Sequence, residues 1–302
     1  MYALGIDIGG TKTAMAIMNA SGTIIAHDQL KTSTQAAPEV MLDRIIICAK
    51  KLLEKSDVTE KTLLGIGIGA PGPLDLFRGM ITYPPNLPLW REVRIVDYIS
   101  QHFSVPIHLE NDASAAALAE HHFGAGHGHK NILFVTISTG IGAGIIANNT
   151  LISGGRGNAG DVGHMVVDPS FGLCVCGQLG CFEHICSGTA ISREASRLKK
   201  MPLSTKDVFQ LYQEKEPVIT PYLDKVLERM GMAFVSLINT LDPEIVIIGG
   251  GVSQAGDILF EPIRHYVTRF TLNKDAAHTP IVPAKLSQTA GVIGAAALIL
   301  NR

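Results

Sequence analysis

The chain has 302 residues, enough for two domains at about 150 residues each. Hydrophobic residues make up 46% and charged residues 17%, which excludes a disordered chain, and a formal charge of −2 gives no general reason to bind nucleic acid or an anionic membrane. No Arg-flanked apolar leader opens the sequence and no apolar run reaches the ~18 residues of a membrane span, so a cytoplasmic protein without a membrane segment is expected.

The first thirty residues contain three strand-like segments, Ala3–Ile8, Ala14–Met18 and Thr23–Leu30, separated by Gly-rich turns. This spacing predicts an antiparallel meander. Apolar residues at helical spacing follow Pro38, predicting a helix over Val40–Leu53. Leu63–Ile68 reads as a buried strand, Ile95–Phe103 as a helix and Ile107–Leu109 as a strand. Asp112 stands where an N-cap belongs, ahead of the Ala-rich helix Ala113–His122.

A second meander starts near Ile132, with Leu133–Ile137 and Gly144–Ala147 on either side of a Ser/Thr/Gly turn. The repeated order implies two like-built α/β domains facing each other. The rest is mainly helical, including Asp207–Gln213, Pro221–Leu241, Asp257–Phe270 and Gly291–Leu300, with Ile245–Ile248 a buried strand and Ile281–Ala284 extended. The expected division is residues 1–112 plus about 289–302 in a smaller domain, and 113–288 in a larger one.

Three Gly-rich turns carry chemistry. Asp7-Ile8-Gly9-Gly10-Thr11-Lys12-Thr13 joins two strands, and its successive N–H groups can form an anion nest, with a hydroxyl at Thr11 and a charge at Lys12. Asp7 would repel a phosphate unless a cation stood between them, which implies Mg²⁺ bound to Asp7 through water. A plain hairpin turn has the same composition. Ser138-Thr139-Gly140-Ile141-Gly142 offers a second nest of this kind. Gly249-Gly250-Gly251 ends a buried strand, where a flat ring can lie against bare backbone, although any strand-to-helix loop could look like this. Together the three turns favour a nucleotide.

Cys174, Cys176 and Cys181 lie close in sequence, and His164 lies just upstream. A Cys₃His set suits tetrahedral Zn²⁺. A disulfide is the alternative, disfavoured in a cytoplasmic protein. Cys48 and Cys186 lack such spacing and read as small apolar residues.

The sequence resembles the sugar kinases of the ROK family, within the actin-like/hexokinase superfamily, essentially end to end. The resemblance rests on Asp7–Lys12, Gly69-Ala-Pro-Gly-Pro73, Pro85-Asn-Leu87, Glu110-Asn-Asp112, Ser138–Gly144, Ala159-Gly-Asp-Val-Gly-His164 and the Cys cluster. It implies two ribonuclease-H-like domains with an interdomain cleft and ATP-dependent phosphorylation of a sugar hydroxyl, in a homodimer joined through the C-terminal domain. It also implies Asp112 as general base and Gly72, Asn86, Asn111, Asp112, Asp161, His164 and Glu183 as sugar ligands. As an N-cap, Asp112 should be ionised at pH 7 and act through its orientation more than through a raised pKa.

One position departs from the family pattern. Asp161 stands where Glu is usual in Ala-Gly-Glu-x-Gly-His, so its carboxylate is one methylene shorter. Glucose is the expected substrate, because the segments around Asp75 and Leu87 look most like the glucokinase branch. N-acetylmannosamine, N-acetylglucosamine, allose and fructose kinases share the motifs. Sugar-responsive repression also occurs in the family, but the phosphate turn starting at Asp7 leaves no room for an N-terminal helix-turn-helix, so repression is not expected.

Overall fold

The computed structural model describes residues 1–286 and 289–300. Strands β1 (Tyr2–Ile8), β2 (Lys12–Asn19) and β3 (Ile24–Lys31) form the expected antiparallel meander, followed by α1 (Pro38–Lys55). Strand β4 (Leu63–Ala70) returns parallel to β1. A hairpin of β5 (Leu74–Asp75) and β6 (Met80–Ile81) and the helix α2 (Ile95–Ser100) then lead to β7 (Ile107–Asn111), parallel to β4. Helix α3 (Asp112–Phe123) closes this half.

The second half repeats the plan. Strands β8 (Ile132–Ile137), β9 (Ile141–Ala147) and β10 (Thr150–Leu151) form a second antiparallel meander. Helices α4 (Phe182–Cys186), α5 (Gly188–Lys199), α6 (Thr205–Gln213) and α7 (Ile219–Leu241) precede β11 (Ile245–Gly249), which is parallel to β8. Helix α8 (Asp257–Phe270) leads to β12 (Ile281–Pro283), and α9 (Ala290–Leu300) follows. The sheet orders are β3-β2-β1-β4-β7 and β10-β9-β8-β11-β12, with corresponding strands running in corresponding directions. Strands β8 and β11 are almost wholly apolar because helices cover both faces.

The last helix of each half packs on the other half's sheet. Helix α3 lies against β8 and β9, α9 lies against β1 and β4, and the two helices pack on each other. Their side chains, among them Ala116 and Ala296, join Phe134 of β8 and Ile247 of β11 in a third apolar core beside the separate cores of the two halves. The crossing is a backbone-to-backbone contact. A Cβ on Gly294 would lie 1.8 Å from the Ala115 carbonyl oxygen, and one on Gly67 would lie 1.7 Å from that of Ala295. Only glycine permits such proximity.

Residues 287–288 and 301–302 of the domain division expected from sequence lie outside the described residues. Among the described residues, no helix is long and apolar enough to cross a membrane.

Candidate active site

Asp7, next to last in β1, is on the face that looks toward α9, together with Ala3 and Gly5, as strand alternation requires. Its carboxylate lies against the first turn of α9, where a Cβ on Gly291 would be 2.3 Å from Oδ2. Burial pushes its pKa up to about 7, with the charge of Asp112 adding and that of Lys12 opposing. The following turn is closed by the Gly9 N–H donating to the Lys12 carbonyl at 3.0 Å, and Thr11 and Lys12 remain exposed. Asn86 stands beside Gly10, with its Cβ 3.2 Å from where a Gly10 Cβ would be. Thr13 departs from the expected phosphate set: it is buried in β2, and its hydroxyl pairs with that of Thr32 at 3.0 Å.

The junction of β7 and α3 corrects the expected cap. Asn111, with extended backbone, is the N-cap, and Asp112 is the first helical residue. Asn111 Oδ1 accepts from the N–H groups of Ala113 at 2.9 Å and Ser114 at 3.3 Å. This leaves its Nδ2, facing Gly72, free to donate to a ligand. Asp112 Oδ1 accepts from the Ala113 N–H at 2.8 Å. That bond favours the charged form, but burial outweighs it, and with Asp161 adding repulsion the pKa rises to about 6. At about 6 the carboxyl is still mostly ionised at pH 7, as expected, but it is raised rather than ordinary, because helix-end stabilisation is weaker than desolvation here. Asp7 and Asp112 flank Gly69, where an added Cβ would lie 3.7 Å from Asp7 Oδ1 and 3.9 Å from Asp112 Cα.

The second turn, Ser138-Thr139-Gly140, joins β8 to β9. The Ser138 N–H donates to the Gly140 carbonyl at 2.9 Å, and the Ser138 carbonyl accepts from the Gly188 N–H at 2.7 Å. Glu183 lies beneath it and accepts the Ile141 N–H on Oε2 at 2.8 Å. Gly142 belongs to β9 rather than to the turn; a Cβ there would stand 3.2 Å from the Ala113 Cβ, so its smallness serves the packing of α3.

Gly250 has φ +83° and sits against Ile137, beside the second turn; Gly249 is buried against the Phe134 ring and Gly251 is open. A cleft of about 1150 Å³ runs from Ser138 and Thr139 past Gly251 to α5 and α6, where Thr189, Lys206, Phe209 and Gln210 line it. Sequence reasoning missed these helical residues. They read as ordinary members of amphipathic helices, and only the fold sets them opposite Gly251.

Asp161 precedes a short 3₁₀ turn, Val162–His164. The protein around its carboxyl holds it above the usual range, while His164 works the other way. The ligand atoms of His164, Cys174, Cys176 and Cys181 all lie within 4.8 Å of one another. His164 Nδ1 is 3.8 Å from Cys174 Sγ, and the sulfurs of Cys176 and Cys181 are 3.5 Å apart. Metal–sulfur bonds of about 2.3 Å around a tetrahedral ion need donors at such separations, so the four residues fit a thiophilic cation. Nδ1 turns toward the sulfurs, which leaves Nε2 as the nitrogen a sugar could meet.

The chain belongs to the ROK family, whose model matches residues 3–302. It is 35% identical to a glucokinase of Halalkalibacterium halodurans, over 99% of this chain and 94% of that protein. It is also 29% identical to the xylose repressor of Bacillus subtilis, over 99% of this chain and 77% of that protein. The crystal structure of a ROK hexokinase from Thermus thermophilus matches with a TM-score of 0.88 at 32% identity, covering 99% of this chain and 98% of that one. A ROK glucokinase from Streptomyces griseus, in complex with glucose and AMPPNP, matches with a TM-score of 0.81 at 31% identity over 100% of both chains. The fold is that of the actin-like ATPases.

Proposed function

We propose that this ROK-family chain, an ATP-dependent hexose kinase, transfers the γ-phosphoryl group of ATP to the 6-hydroxyl of glucose. The observation that carries this reading is the place of Asp112, across Gly69 from Asp7 and at the junction where α3 passes from one sheet to the other. Such a carboxylate reaches a sugar hydroxyl on one side and faces the phosphate turns on the other. The glucokinase relatives and the glucose-bound neighbour support glucose.

In this reading Asp112 accepts the proton of the attacking hydroxyl. Asn111 donates through Nδ2, and Gly72, Asn86, Asp161, His164 and Glu183 hold the remaining sugar hydroxyls. Gly9, Gly10, Thr11, Lys12, Ser138, Thr139 and Gly140 cradle the phosphates, while the cleft along Gly251 takes the nucleoside. Asp7 would hold Mg²⁺ through water, which when bound neutralises phosphate charge. His164, Cys174, Cys176 and Cys181 would hold a structural Zn²⁺ that fixes the imidazole. Thr13 and Gly142 support these turns from within the strands.

The domain division at residues 112 and 289, a cytoplasmic location and a homodimer belong to the same reading. Its test is ATP-coupled turnover across glucose, mannose, allose, fructose and the two N-acetylhexosamines. Glucose should give the highest kcat/KM. An N-acetylhexosamine tenfold better would overturn the sugar assignment, and no turnover of any sugar would overturn the kinase.

A further inference from the structure

The loop from Ser153 to Asp161 belongs to the second half, yet two of its side chains are bonded to the first. Asn158 Oδ1 accepts the Leu74 N–H at 3.0 Å, and Asn158 Nδ2 donates to the Leu74 carbonyl at 3.1 Å. The amide thus pairs with both backbone groups of one residue, as a neighbouring strand would. A third bond, Nδ2 to the Arg156 carbonyl at 3.0 Å, fixes which end of the amide faces which partner. At the start of the loop, the Ser153 hydroxyl donates to Glu110 Oε2 at 2.8 Å, next to Asn111 and Asp112. Between the two anchors Leu76 lies on Gly157, where a Cβ would be 2.5 Å from Leu76 Cγ.

Leu74 lies two residues after Gly72, and Asn158 three before Asp161. The far side of the Gly72 segment is braced separately, by the Thr82 hydroxyl and N–H donating to the Pro73 carbonyl at 2.7 and 3.1 Å. The Asn158 amide is therefore the bridge between a rigid segment of one half and the loop that carries Asp161 on the other.

Building on the sugar-kinase reading above, we propose that Asn158 is a positioning residue for the sugar site, a latch that sets the Asp161 loop at a fixed distance from Gly72 and Asn111. It touches neither phosphate turn, so its effect falls on the sugar and not on ATP. The shorter carboxylate of Asp161 makes this placement stringent, because a shorter side chain can follow less of a loop displacement.

Two variants test the latch by steady-state kinetics with glucose and ATP. Asn158→Leu keeps the size and removes all three bonds. Asn158→Asp keeps the shape but turns a negative charge toward two carbonyl oxygens. Each should raise the KM for glucose about tenfold or more, leave the KM for ATP within about twofold, and lower kcat less than the glucose KM rises. A merely structural role would instead lower the melting temperature and the active fraction with both KM values unchanged. A glucose KM within twofold of wild type in both variants overturns the proposal. Amide hydrogen exchange at Leu74 gives a readout independent of turnover: it should be slow in the wild type and at least tenfold faster in Asn158→Leu, which removes the oxygen that accepts the Leu74 N–H. Equal exchange in the wild type and Asn158→Leu also overturns the latch. If the wild type phosphorylates no sugar, the kinase reading fails, while the exchange rates still decide whether the latch exists.

Discussion

Glu183 Oε2 accepts the Ile141 N–H at 2.8 Å, so a residue two places beyond Cys181 holds the turn that carries Ser138 and Thr139. In the proposed sugar site, Oε1 is the oxygen that would meet a sugar hydroxyl. Glu183→Ala should therefore raise the KM for ATP as well as for glucose. Loss of a hydrogen bond to a charged group is worth about 1.5–3 kcal/mol, or roughly ten- to a hundredfold. Glu183→Gln retains an oxygen acceptor and should lose less. An unchanged KM for ATP in Glu183→Ala would show that the turn keeps its shape unaided.

The Cys₃His cluster should hold one Zn²⁺ per chain by elemental analysis. Cys176→Ser should lower both metal content and melting temperature, since binding only to the folded site adds to folding free energy. It should also raise the KM for ATP, because α4 carries Glu183 directly after Cys181. Metal-free protein with full activity and unchanged melting would contradict this.

Asp112→Asn should lower kcat by about 10²–10⁴ while changing glucose affinity less. It should also make the protein more stable at pH 8. The carboxyl pKa rises from 3.8 to about 6 on folding, so ionisation opposes folding, and stability falls as pH rises through this interval. Asparagine removes that penalty, at most about 3 kcal/mol for two pKa units, and the Asn111 cap stays in place. Differential scanning calorimetry at pH 8 should show a higher Tm; a lower one would mean that the charge is stabilised in the fold.

The pH dependence of kcat/KM for glucose should show an acid limb with an apparent pKa near 6, activity falling as Asp112 takes up a proton. A flat profile from pH 5 to 8 would remove Asp112 as the base.

Asp161→Glu distinguishes two states of the sugar site. With the loop set for the shorter carboxylate, the added methylene overfills the site, and kcat/KM for glucose should fall while that for other hexoses changes less. A gain of about tenfold would instead mean that a hydroxyl bond is stretched in the natural protein.

The two meanders, both hydroxyl–glycine turns and the Cys₃His cluster were legible in the sequence because each rests on local chemistry: alternation, Gly at turns, Cys spacing. The cap of α3 was misplaced by one because Asn and Asp are equally good caps and stand side by side at 111 and 112. Thr13 and Gly142 continue their motifs in sequence, but their roles are set by what packs on the strand, which spacing does not encode. The raised pKa of Asp112 and the Asn158–Leu74 bonds depend on partners far along the chain, and they appear only once the halves are assembled.

The exchange of α3 and α9 between the sheets bears on how the chain is made. Strand β1 leaves the ribosome long before the helix that covers its α9-facing side. Until α9 emerges, Gly5 and Gly67 present a shallow groove in the sheet with nothing to fill it, so the first half cannot complete its packing during its own synthesis. Without α9 the first half should not be a self-sufficient folding unit. A fragment ending before α9 should emerge as a collapsed, chaperone-dependent species rather than a small stable domain, and the first half should reach its native structure only once α9 has emerged.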